Sequence, residues 1–240
     1  MPASPTGSTM DPMTVFAPDP GTITIGPADV HAWLVDLDGW PEDRKVLAPG
    51  ERDRSASYLR PQDGARFAAS RGAVRLILAG YLGCEPGGLR FVTGGRGQQR
   101  PAGHSLQFSL SRSGGIALVA VSPDPVGADL ELLRPRAELA DLIAARFAAA
   151  EAACVAARCA GSPARSFYRH WVAKEAYLKA TGRGLAALRD TQLACGPAPV
   201  IRFRGTPEPD WKVSTPEALP RCVAAVVAAR PVTSWRRIAG

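Results

Sequence analysis

The sequence predicts an α+β fold made of two similar subdomains with a binding cleft between them. Along the chain, a strand, a helical region, a long helix and further strands occur in that order twice. Phe67–Leu78 and Phe167–Leu178 occupy matching places in the long helices of the two halves. Pro123 and Pro125 lie between the halves and predict a hinge. A duplicated fold of this kind offers the cleft between its halves as a ligand site.

Composition predicts a folded chain whose core is rich in small apolar side chains. Of the 240 residues, 46% are hydrophobic and only 7% are aromatic, so Ala, Val and Leu must fill much of the core. The longest apolar runs, Ala73–Leu82 and Cys222–Ala229, are shorter than the roughly 20 residues that span a bilayer. Residues 1–20 have neither a basic start nor an apolar run. We therefore expect a disordered tail there, no secretory signal and no membrane association.

The first half, residues 21–124, is predicted to hold one long helix among several strands. Arg66–Leu82 is its strongest helical segment, because the apolar residues fall on one broad stripe and Gly83 supplies a stop. Ser111–Gly115 is predicted to be a tight connection between two strands. The other predicted elements are strands at His31–Leu37, Leu89–Thr93, Gln107–Leu110 and Ile116–Ser122, a helix between Pro49 and Arg60, and a glycine-rich loop at Gly94–Gly103.

The second half, residues 125–235, repeats this order. Phe167–Ala180 is its long helix, closed by Gly182 and Gly184. The other predicted elements are strands at Val126–Leu132, Thr191–Ala194, Val200–Arg204 and Cys222–Ala229, and an alanine-rich helix at Arg136–Arg158.

The net charge of +7 predicts an anionic partner. An arginine bias also arises from a GC-rich genome, so the charge alone does not identify that partner. We expect no nucleic acid, because the arginines are scattered and no aromatic residues are interleaved with them for base stacking. The five cysteines form no CxxC pair, and we interpret them as reduced, which is consistent with a cytoplasmic protein.

Two carboxylates, Asp129 and Glu131, lie two residues apart in a predicted strand and so share one face. Because like charges repel, this arrangement needs a cation or a shared proton. Mg²⁺ binds such oxygen ligands, usually together with substrate phosphates. A solvated edge strand would show the same pattern, and both interpretations stay open on spacing alone.

The long helix of the second half carries another group of charged side chains. Glu175 and Lys179 lie on one helical face with the spacing of a helix-stabilising ion pair, which is the simpler interpretation. The other interpretation is chemical. Lys174 and Lys179 are two of only four lysines in an arginine-rich chain, which suggests that a compact positive charge is needed there.

Hydroxyl and basic side chains indicate a phosphate site in the first half. Ser111, Arg112 and Ser113 can hold a phosphate by charge-assisted hydrogen bonds, although polar residues are equally common in hairpins. Several arginines upstream suggest a positively charged surface of the site, but the solvent-exposed face of a helix would show the same pattern. These are Arg52, Arg54, Arg66, Arg71 and Arg75.

The order of these motifs resembles the Sfp-type 4'-phosphopantetheinyl transferase family, over roughly residues 30–230. The pairing of the Asp129/Glu131 motif with Lys174, Glu175 and Lys179 at this separation is its most specific part. The matching segments are Phe108–Gly115 (FSLSRSGG), Pro125–Glu131 (PVGADLE), Arg146–Glu151, Trp171–Lys179 (WVAKEAYLK) and Gly182–Leu185 (GRGL), with Arg66–Leu78 resembling the family's arginine-rich helix and Arg100-Pro101 its Gly-Lys-Pro element.

The resemblance implies the 4'-phosphopantetheinyl transferase fold, a monomer of two pseudo-symmetric α+β halves that binds coenzyme A and Mg²⁺, or alternatively Mn²⁺, in the cleft. It implies transfer of phosphopantetheine from coenzyme A to a serine of an acyl or peptidyl carrier protein, with release of 3',5'-ADP. Such carriers serve fatty acid, polyketide and nonribosomal peptide biosynthesis. We expect the carrier to dock near Leu132–Phe147, where Arg134, Arg136 and Arg146 offer positive charge.

Site residues also follow from the resemblance. The implied metal ligands are Asp129, Glu131 and Glu175. The implied catalytic residues are Lys179, Glu175 and Glu151, with Lys179 near the pyrophosphate as proton acceptor or leaving-group stabiliser and Glu151 as a further ligand or base. The implied coenzyme A contacts are Arg54, Arg66, Arg71, Arg100, Ser111, Arg112, Lys174 and Lys179.

Two departures from the family pattern concern coenzyme A recognition. Arg112 stands where the family usually has His, and Gly97–Pro101 (GQQRP) is a lengthened Gly-Lys-Pro element with arginine in place of lysine. Arginine can still donate to a phosphate. The alternative function is a non-catalytic homologue that binds coenzyme A or a carrier protein. A basic nucleic-acid-binding module has only the net charge in its favour.

Overall fold

The computed structural model describes residues 14–16, 21–41, 44–95, 97–135, 138–157, 162–194, 199–216 and 219–238. Within these residues the chain has the predicted α+β composition. The helices are α1 (Pro49–Ala56), α2 (Pro61–Leu82), α3 (Leu139–Arg146), α4 (Ala149–Ala157) and α5 (Pro163–Thr181). The strands are β1 (Thr14–Phe16), β2 (His31–Asp36), β3 (Phe91–Thr93), β4 (Gln99–Pro101), β5 (Gln107–Ser113), β6 (Ile116–Ser122), β7 (Val126–Leu132), β8 (Thr191–Ala194), β9 (Val200–Phe203), β10 (Thr206–Pro207), β11 (Lys212–Ser214), β12 (Cys222–Ala228) and β13 (Ser234–Ile238).

Two sheets form the centre of the molecule. The first has the strand order β1-β13-β2-β6-β5, and the second has the order β11-β12-β7. Strands β8, β9 and β10 form a third small sheet, and β3 pairs with β4 in a hairpin. Strands β5 and β7 therefore lie at the ends of the first and second sheets, and their relation to each other builds the site described below.

The core consists of three clusters that give the molecule four layers. One cluster joins α2 to the first sheet, the second joins the two sheets, and the third joins the second sheet to α5. Because each central strand is covered on both faces, β12 is apolar along its whole length and β6 is apolar up to its last residue, Ser122, rather than alternating. Buried members of the three clusters are Trp33 with Ile77, Leu118 with Leu130, and Ala173 with Ala225.

The long helix α5 lies directly on β7 because residue 127 is a glycine. A Cβ atom added at Gly127 would be 1.9 Å from the carbonyl oxygen of Ala176 and 2.6 Å from the amide nitrogen of Ala180. Only a residue without a side chain permits this approach. The approach brings the charged positions of α5 against the acidic strand β7.

The fold differs from the sequence prediction mainly at short strands. Thr14–Phe16, inside the segment expected to be a disordered tail, forms β1 and pairs in parallel with β13. Strand β13 also pairs in parallel with β2, so the end of the chain completes the first sheet. Such strands have weak sequence signals, because their stability comes from the partner strand rather than from their own pattern. The remaining residues of the expected tail lie outside the described residues.

Three further predictions are corrected. Ser111 and Ser113 belong to β5, so the connection to β6 is the two-residue turn Gly114-Gly115. The predicted helix Arg136–Arg158 consists of α3 and α4, with a break at Phe147-Ala148 where Phe147 is buried; its end residues lie outside the described residues. The glycine-rich loop Gly94–Gly103 likewise contains β4.

The cysteines are not all reduced. Cys84 and Cys222 are free, but Cys154 in α4 is disulfide-bonded. Spacing along the chain does not decide which cysteines a fold brings together. The cysteine argument for the cytoplasm therefore no longer stands. None of the helices in the described part of the chain combines the length and apolar character that a membrane crossing requires.

Candidate functional site

A cavity of about 470 Å³ opens between the two halves, where the sequence predicted a cleft. Side chains from both halves line it. They include Arg71, Gln98 and Leu110 from the first half and Glu175, Lys179 and Leu185 from the second. The cavity is thus partly apolar, with a charged end on α5.

Helix α5 presents Glu175 to the two carboxylates of β7. Burial raises the pKa of Glu175 to about 7, and the nearby Asp129 and Glu131 carboxylates add to the rise while Lys179 opposes it. The three predicted metal ligands are therefore close enough to affect one another's charge. Asp129 and Glu131 share a face of β7, as their two-residue spacing predicts.

Asp129 is almost fully buried, and its two carboxylate oxygens differ. Oδ1 accepts hydrogen bonds from Lys179 Nζ at 2.6 Å and from Ser111 Oγ at 2.8 Å. Oδ2 is buried and has no hydrogen-bond partner. A buried carboxylate oxygen without a donor is costly unless a cation or proton compensates it.

Lys179 reaches Asp129 from α5. Besides the carboxylate, its Nζ donates to the backbone oxygen of Ala128 at 3.1 Å. Both contacts are with acceptors, so the arrangement suits the charged ammonium as a donor. The lysine side chain is 35% exposed and lines the cavity.

Serines of β5 support the acidic strand. Ser111, expected to contact a coenzyme A phosphate, is buried and bonds to Asp129 instead. Ser113 Oγ donates to Glu131 Oε2 at 2.8 Å, a contact that the sequence reasoning did not anticipate. The period-2 spacing of the serines was the available signal, since residues 111 and 113 share one face of a strand.

The carboxylates fit a hard divalent cation by their chemistry. Among the described residues, no group of three or more His, Cys, Asp or Glu side chains is arranged as a metal cluster. Three features nevertheless suit a cation: three mutually repelling carboxylates, the unpartnered Oδ2 of Asp129, and the raised pKa of Glu175. Oxygen ligands of this type are those that Mg²⁺ prefers.

Two predicted coenzyme A contacts meet around one aromatic pair in the first half. Arg112 Nη2 donates to the hydroxyl of Tyr58 at 2.9 Å, and its guanidinium lies 5.1 Å from the ring centre of Phe67. Arg54 lies 5.5 Å from the same ring. The Arg112 and Arg54 guanidiniums lower the pKa of Tyr58. Two exposed guanidinium groups gathered at one place favour an anionic ligand.

Other predicted coenzyme A contacts are engaged or lie apart. Arg66 forms two hydrogen bonds with Asp38, at 2.7 and 2.8 Å, and so is neutralised. Arg71 lines the cavity but is paired with Glu51 at 2.6 Å. Arg100 is exposed on β4. Sequence position alone did not reveal these acidic partners, because they are 20 and 28 residues away along the chain.

Glu151, implied as a further ligand or base, and Lys174, implied as a coenzyme A contact, form a buried ion pair with each other. Glu151 Oε2 accepts from Lys174 Nζ at 2.8 Å, and Oε1 accepts from the backbone amide of Leu193 at 3.0 Å. Lys174 also lies 4.4 Å from the ring centre of Phe147. The contact of α4 with α5 turns both side chains into the core of the second half.

One contact across the cleft was not foreseen. The Nε2 atom of Gln98 donates to the backbone oxygen of Lys179 at 3.1 Å. Gln98 belongs to the lengthened Gly97–Pro101 element, whose departure from the family pattern was the signal in the sequence. The bond adds a second donor to a carbonyl in the last turn of α5, which also accepts from the backbone amide of Gly182 at 3.4 Å.

Comparisons with known proteins agree on one family. The family model described as the 4'-phosphopantetheinyl transferase superfamily matches residues 125–226. The chain is 36% identical over 224 residues to the 4'-phosphopantetheinyl transferase HetI of Nostoc sp., covering 89% of this chain and 93% of HetI. It is 33% identical to a putative 4'-phosphopantetheinyl transferase of Synechocystis sp., over 64% of this chain and 65% of the relative. It is 25% identical to the 4'-phosphopantetheinyl transferase Sfp of Bacillus subtilis, over 60% and 64%.

Proposed function

The chain belongs to the 4'-phosphopantetheinyl transferase superfamily, and from this premise we propose that it carries out its reaction in the cleft between its halves. It transfers the 4'-phosphopantetheine group of coenzyme A to a carrier protein. The bond broken lies within the pyrophosphate of coenzyme A, between the phosphopantetheine phosphorus and the bridging oxygen that leaves with 3',5'-ADP. The bond formed joins the same phosphorus to the carrier serine oxygen, which gives up its proton to solvent. In phosphoryl transfer, positioning and charge neutralisation supply most of the catalysis.

The observation that carries the proposal is the carboxylate cluster with the unpartnered Oδ2 of Asp129. Asp129, Glu131 and Glu175 would hold Mg²⁺, which when bound neutralises charge on the pyrophosphate. Without the cation, burial and the neighbouring carboxylates raise the pKa of Glu175 to about 7, so Mg²⁺ binding near neutral pH would displace a proton from this carboxyl group.

Lys179 stabilises the leaving group in this proposal. Its ammonium already donates to Asp129 and to the Ala128 carbonyl, so it is a donor rather than a proton acceptor. An ammonium at the charged end of the cavity can bond to the oxygen on which negative charge develops. We therefore retain the leaving-group role of the two that the resemblance implied.

Coenzyme A phosphates bind near Arg54 and Arg112 in this proposal. The support is the meeting of two exposed guanidiniums at Tyr58 and Phe67. The ring contacts hold the guanidinium planes in place while leaving N–H groups directed to solvent. Arg100 stays a candidate for a further phosphate contact. For Arg66 and Arg71, the bonds to Asp38 and Glu51 would have to be shared with the ligand.

Glu151 and Lys174 have a supporting role in the proposal. Their buried ion pair joins α4 to α5 and so helps to fix the neighbouring Glu175 at the cavity. Breaking a buried pair on one side leaves an uncompensated charge, which is strongly destabilising. Loss of activity in variants of either residue would therefore come from misplacement of α5.

We place carrier docking on the second half, near Leu132–Phe147. Arg134 and Arg146 are exposed there, and an open hollow of about 650 Å³ lies at Phe147 and Ala148 between α3 and α4. Arg136 lies outside the described residues. Exposed positive charge beside an apolar hollow suits an acidic carrier with an apolar contact.

We further propose that the enzyme works as a cytoplasmic monomer. One chain supplies both walls of the cavity, so no second subunit is needed to complete it. The cytoplasm is proposed because coenzyme A is the substrate.

The decisive experiment is direct transfer. The purified chain is incubated with coenzyme A, Mg²⁺ and several apo-carrier proteins, and each carrier is weighed by mass spectrometry. We expect the phosphopantetheine mass increment with at least one carrier and none in EDTA. Coenzyme A binding without any increment would favour the non-catalytic homologue, and an undiminished increment in EDTA would contradict the metal assignment alone.

A further inference from the structure

Strands β5 and β7 come from different sheets, yet serine side chains join them. Ser109, Ser111 and Ser113 point to the same side of β5 because their spacing is two residues. Each one bonds to β7. Ser109 Oγ accepts from the amide of Ala128 at 2.9 Å, and Ser111 donates to Asp129. The serine hydroxyls therefore do for these end strands what backbone pairing does within a sheet.

Ser113 makes two bonds that together fix the direction of its hydroxyl. Its Oγ accepts from the backbone amide of Leu132 at 3.1 Å and donates to Glu131 Oε2 at 2.8 Å. The hydroxyl has one proton to give, and the amide holds the oxygen in place. The hydroxyl proton therefore points to the carboxylate of Glu131, the residue that precedes Leu132.

We propose that Ser113 is a positioning residue that holds the Glu131 carboxylate in the orientation needed to bind the divalent cation. This inference rests on the proposed function, in which Glu131 is a metal ligand. A neutral hydroxyl is suited to this position, because it stabilises the ionised carboxylate without adding a positive charge that would compete with the cation. Lys179 already supplies such a charge at Asp129.

The effect on metal affinity of losing such a hydrogen bond can be given as an order of magnitude. Removing a hydrogen-bond partner of a metal ligand typically lowers metal affinity by about 10- to 100-fold. We expect Ser113→Ala to weaken cation binding by about ten-fold. Ser113→Thr keeps the hydroxyl and should stay within about three-fold of the wild type.

The test measures binding of Mn²⁺ alone, by electron paramagnetic resonance of the free ion, without coenzyme A or carrier. Ser109→Ala is the matched control, because it removes a serine from the same face of β5 whose bond goes to a backbone amide and not to a carboxylate. Circular dichroism and thermal unfolding of each variant verify the fold.

Weakened Mn²⁺ binding in Ser113→Ala, with near-normal binding in Ser113→Thr and Ser109→Ala, would support the proposal. Equal weakening in Ser109→Ala would overturn it, since the serines would then act only by joining the two sheets. Unchanged binding in Ser113→Ala, or no Mn²⁺ binding by the wild type, would also overturn it. Carrier modification by the wild type, measured in parallel, tells these outcomes apart from failure of the transferase function itself.

Discussion

Lys179 on α5 donates a 2.6 Å hydrogen bond to Oδ1 of Asp129 on β7, two residues that are 50 positions apart in the chain. The bond neutralises one oxygen of the carboxylate and leaves the buried Oδ2 without a partner. A single aspartate thus joins the proposed leaving-group stabiliser to the proposed metal site. Each of the two residues can be tested separately.

Asp129→Asn should lower Mg²⁺-dependent transfer by about 100-fold or more, because it removes the charge that holds the cation while keeping the side-chain size. The melting temperature of the metal-free protein should change little, because the loss of the ion pair with Lys179 is offset by relief of the repulsion with Glu131 and Glu175. The control is Asp190→Asn, an acidic residue paired with Arg204 on the surface. Initial rates of carrier modification provide the measurement. Near-normal Mg²⁺-dependent transfer by Asp129→Asn would contradict the assignment.

Lys179→Ala should lower kcat far more than it raises the KM for coenzyme A. That split is the signature of an interaction made mainly in the transition state. Lys212→Ala is the matched control, since Lys212 is exposed and bonds only locally, to the Pro209 carbonyl at 2.7 Å. Steady-state kinetics measure both constants. An unchanged kcat would leave Lys179 only the role of an ion-pair partner for Asp129.

Glu175 should make stability depend on pH in the protein treated with EDTA. Its pKa is about 7 in the folded protein against 4.5 for the free side chain, so the folded state binds the proton more tightly. The free energy of unfolding should therefore fall as pH rises from about 4.5 to 7 and level off on either side.

The measurement for Glu175 is denaturant unfolding of the wild type and of Glu175→Gln, which cannot titrate at this position. The difference between the two should change across this pH window and be constant above it. Added Mg²⁺ should stabilise the wild type more at pH 8 than at pH 5.5, because the cation and the proton compete for the same carboxylate. Parallel curves for the two proteins would contradict the raised pKa.

Arg112→Ala should weaken coenzyme A binding by about ten- to a hundred-fold, the value of a hydrogen bond to a charged phosphate. Arg112→His should recover part of the lost affinity if the pocket binds the phosphate as it does in family members that have His at this position. Arg202→Ala, on the separate sheet of β9 and bonded to Gly205, serves as the control. Titration calorimetry with coenzyme A gives the affinities. Wild-type affinity in Arg112→Ala would mean that the arginine contacts only Tyr58 and solvent and does not bind coenzyme A.

Reversal of Arg134 and Arg136 to Glu should raise the KM for the carrier and flatten its dependence on salt, with coenzyme A binding unchanged. Charges at the rim of an interface act mainly on the rate of encounter, and salt screens them. The control is the reversal of Arg90 and Arg230 to Glu, two exposed residues outside this surface, which changes the net charge by the same amount. If the KM for the carrier does not change, the docking surface lies elsewhere.

The sequence by itself determined features that repeat along one element. A two-residue period places Asp129 and Glu131 on one face of β7, and a four-residue spacing places Glu175 and Lys179 one turn apart on α5. The order of the long elements in each half was also readable, because apolar stripes and glycine stops are local signals. The resemblance to the family added the roles of these residues.

Only the tertiary structure decided which side chains meet across elements. The serine donors to the β7 carboxylates, Ser111 and Ser113, are both 18 residues away from their partners, and Lys179 is 50 residues away from Asp129. The pairing of Glu151 with Lys174 bridges 23 residues and buries both side chains. Such partners depend on how helices and sheets pack. The residue pattern within one element does not indicate which residues of another element will face it. The sequence therefore determined the charged faces of β7 and α5, and packing decided which donor each carboxylate received.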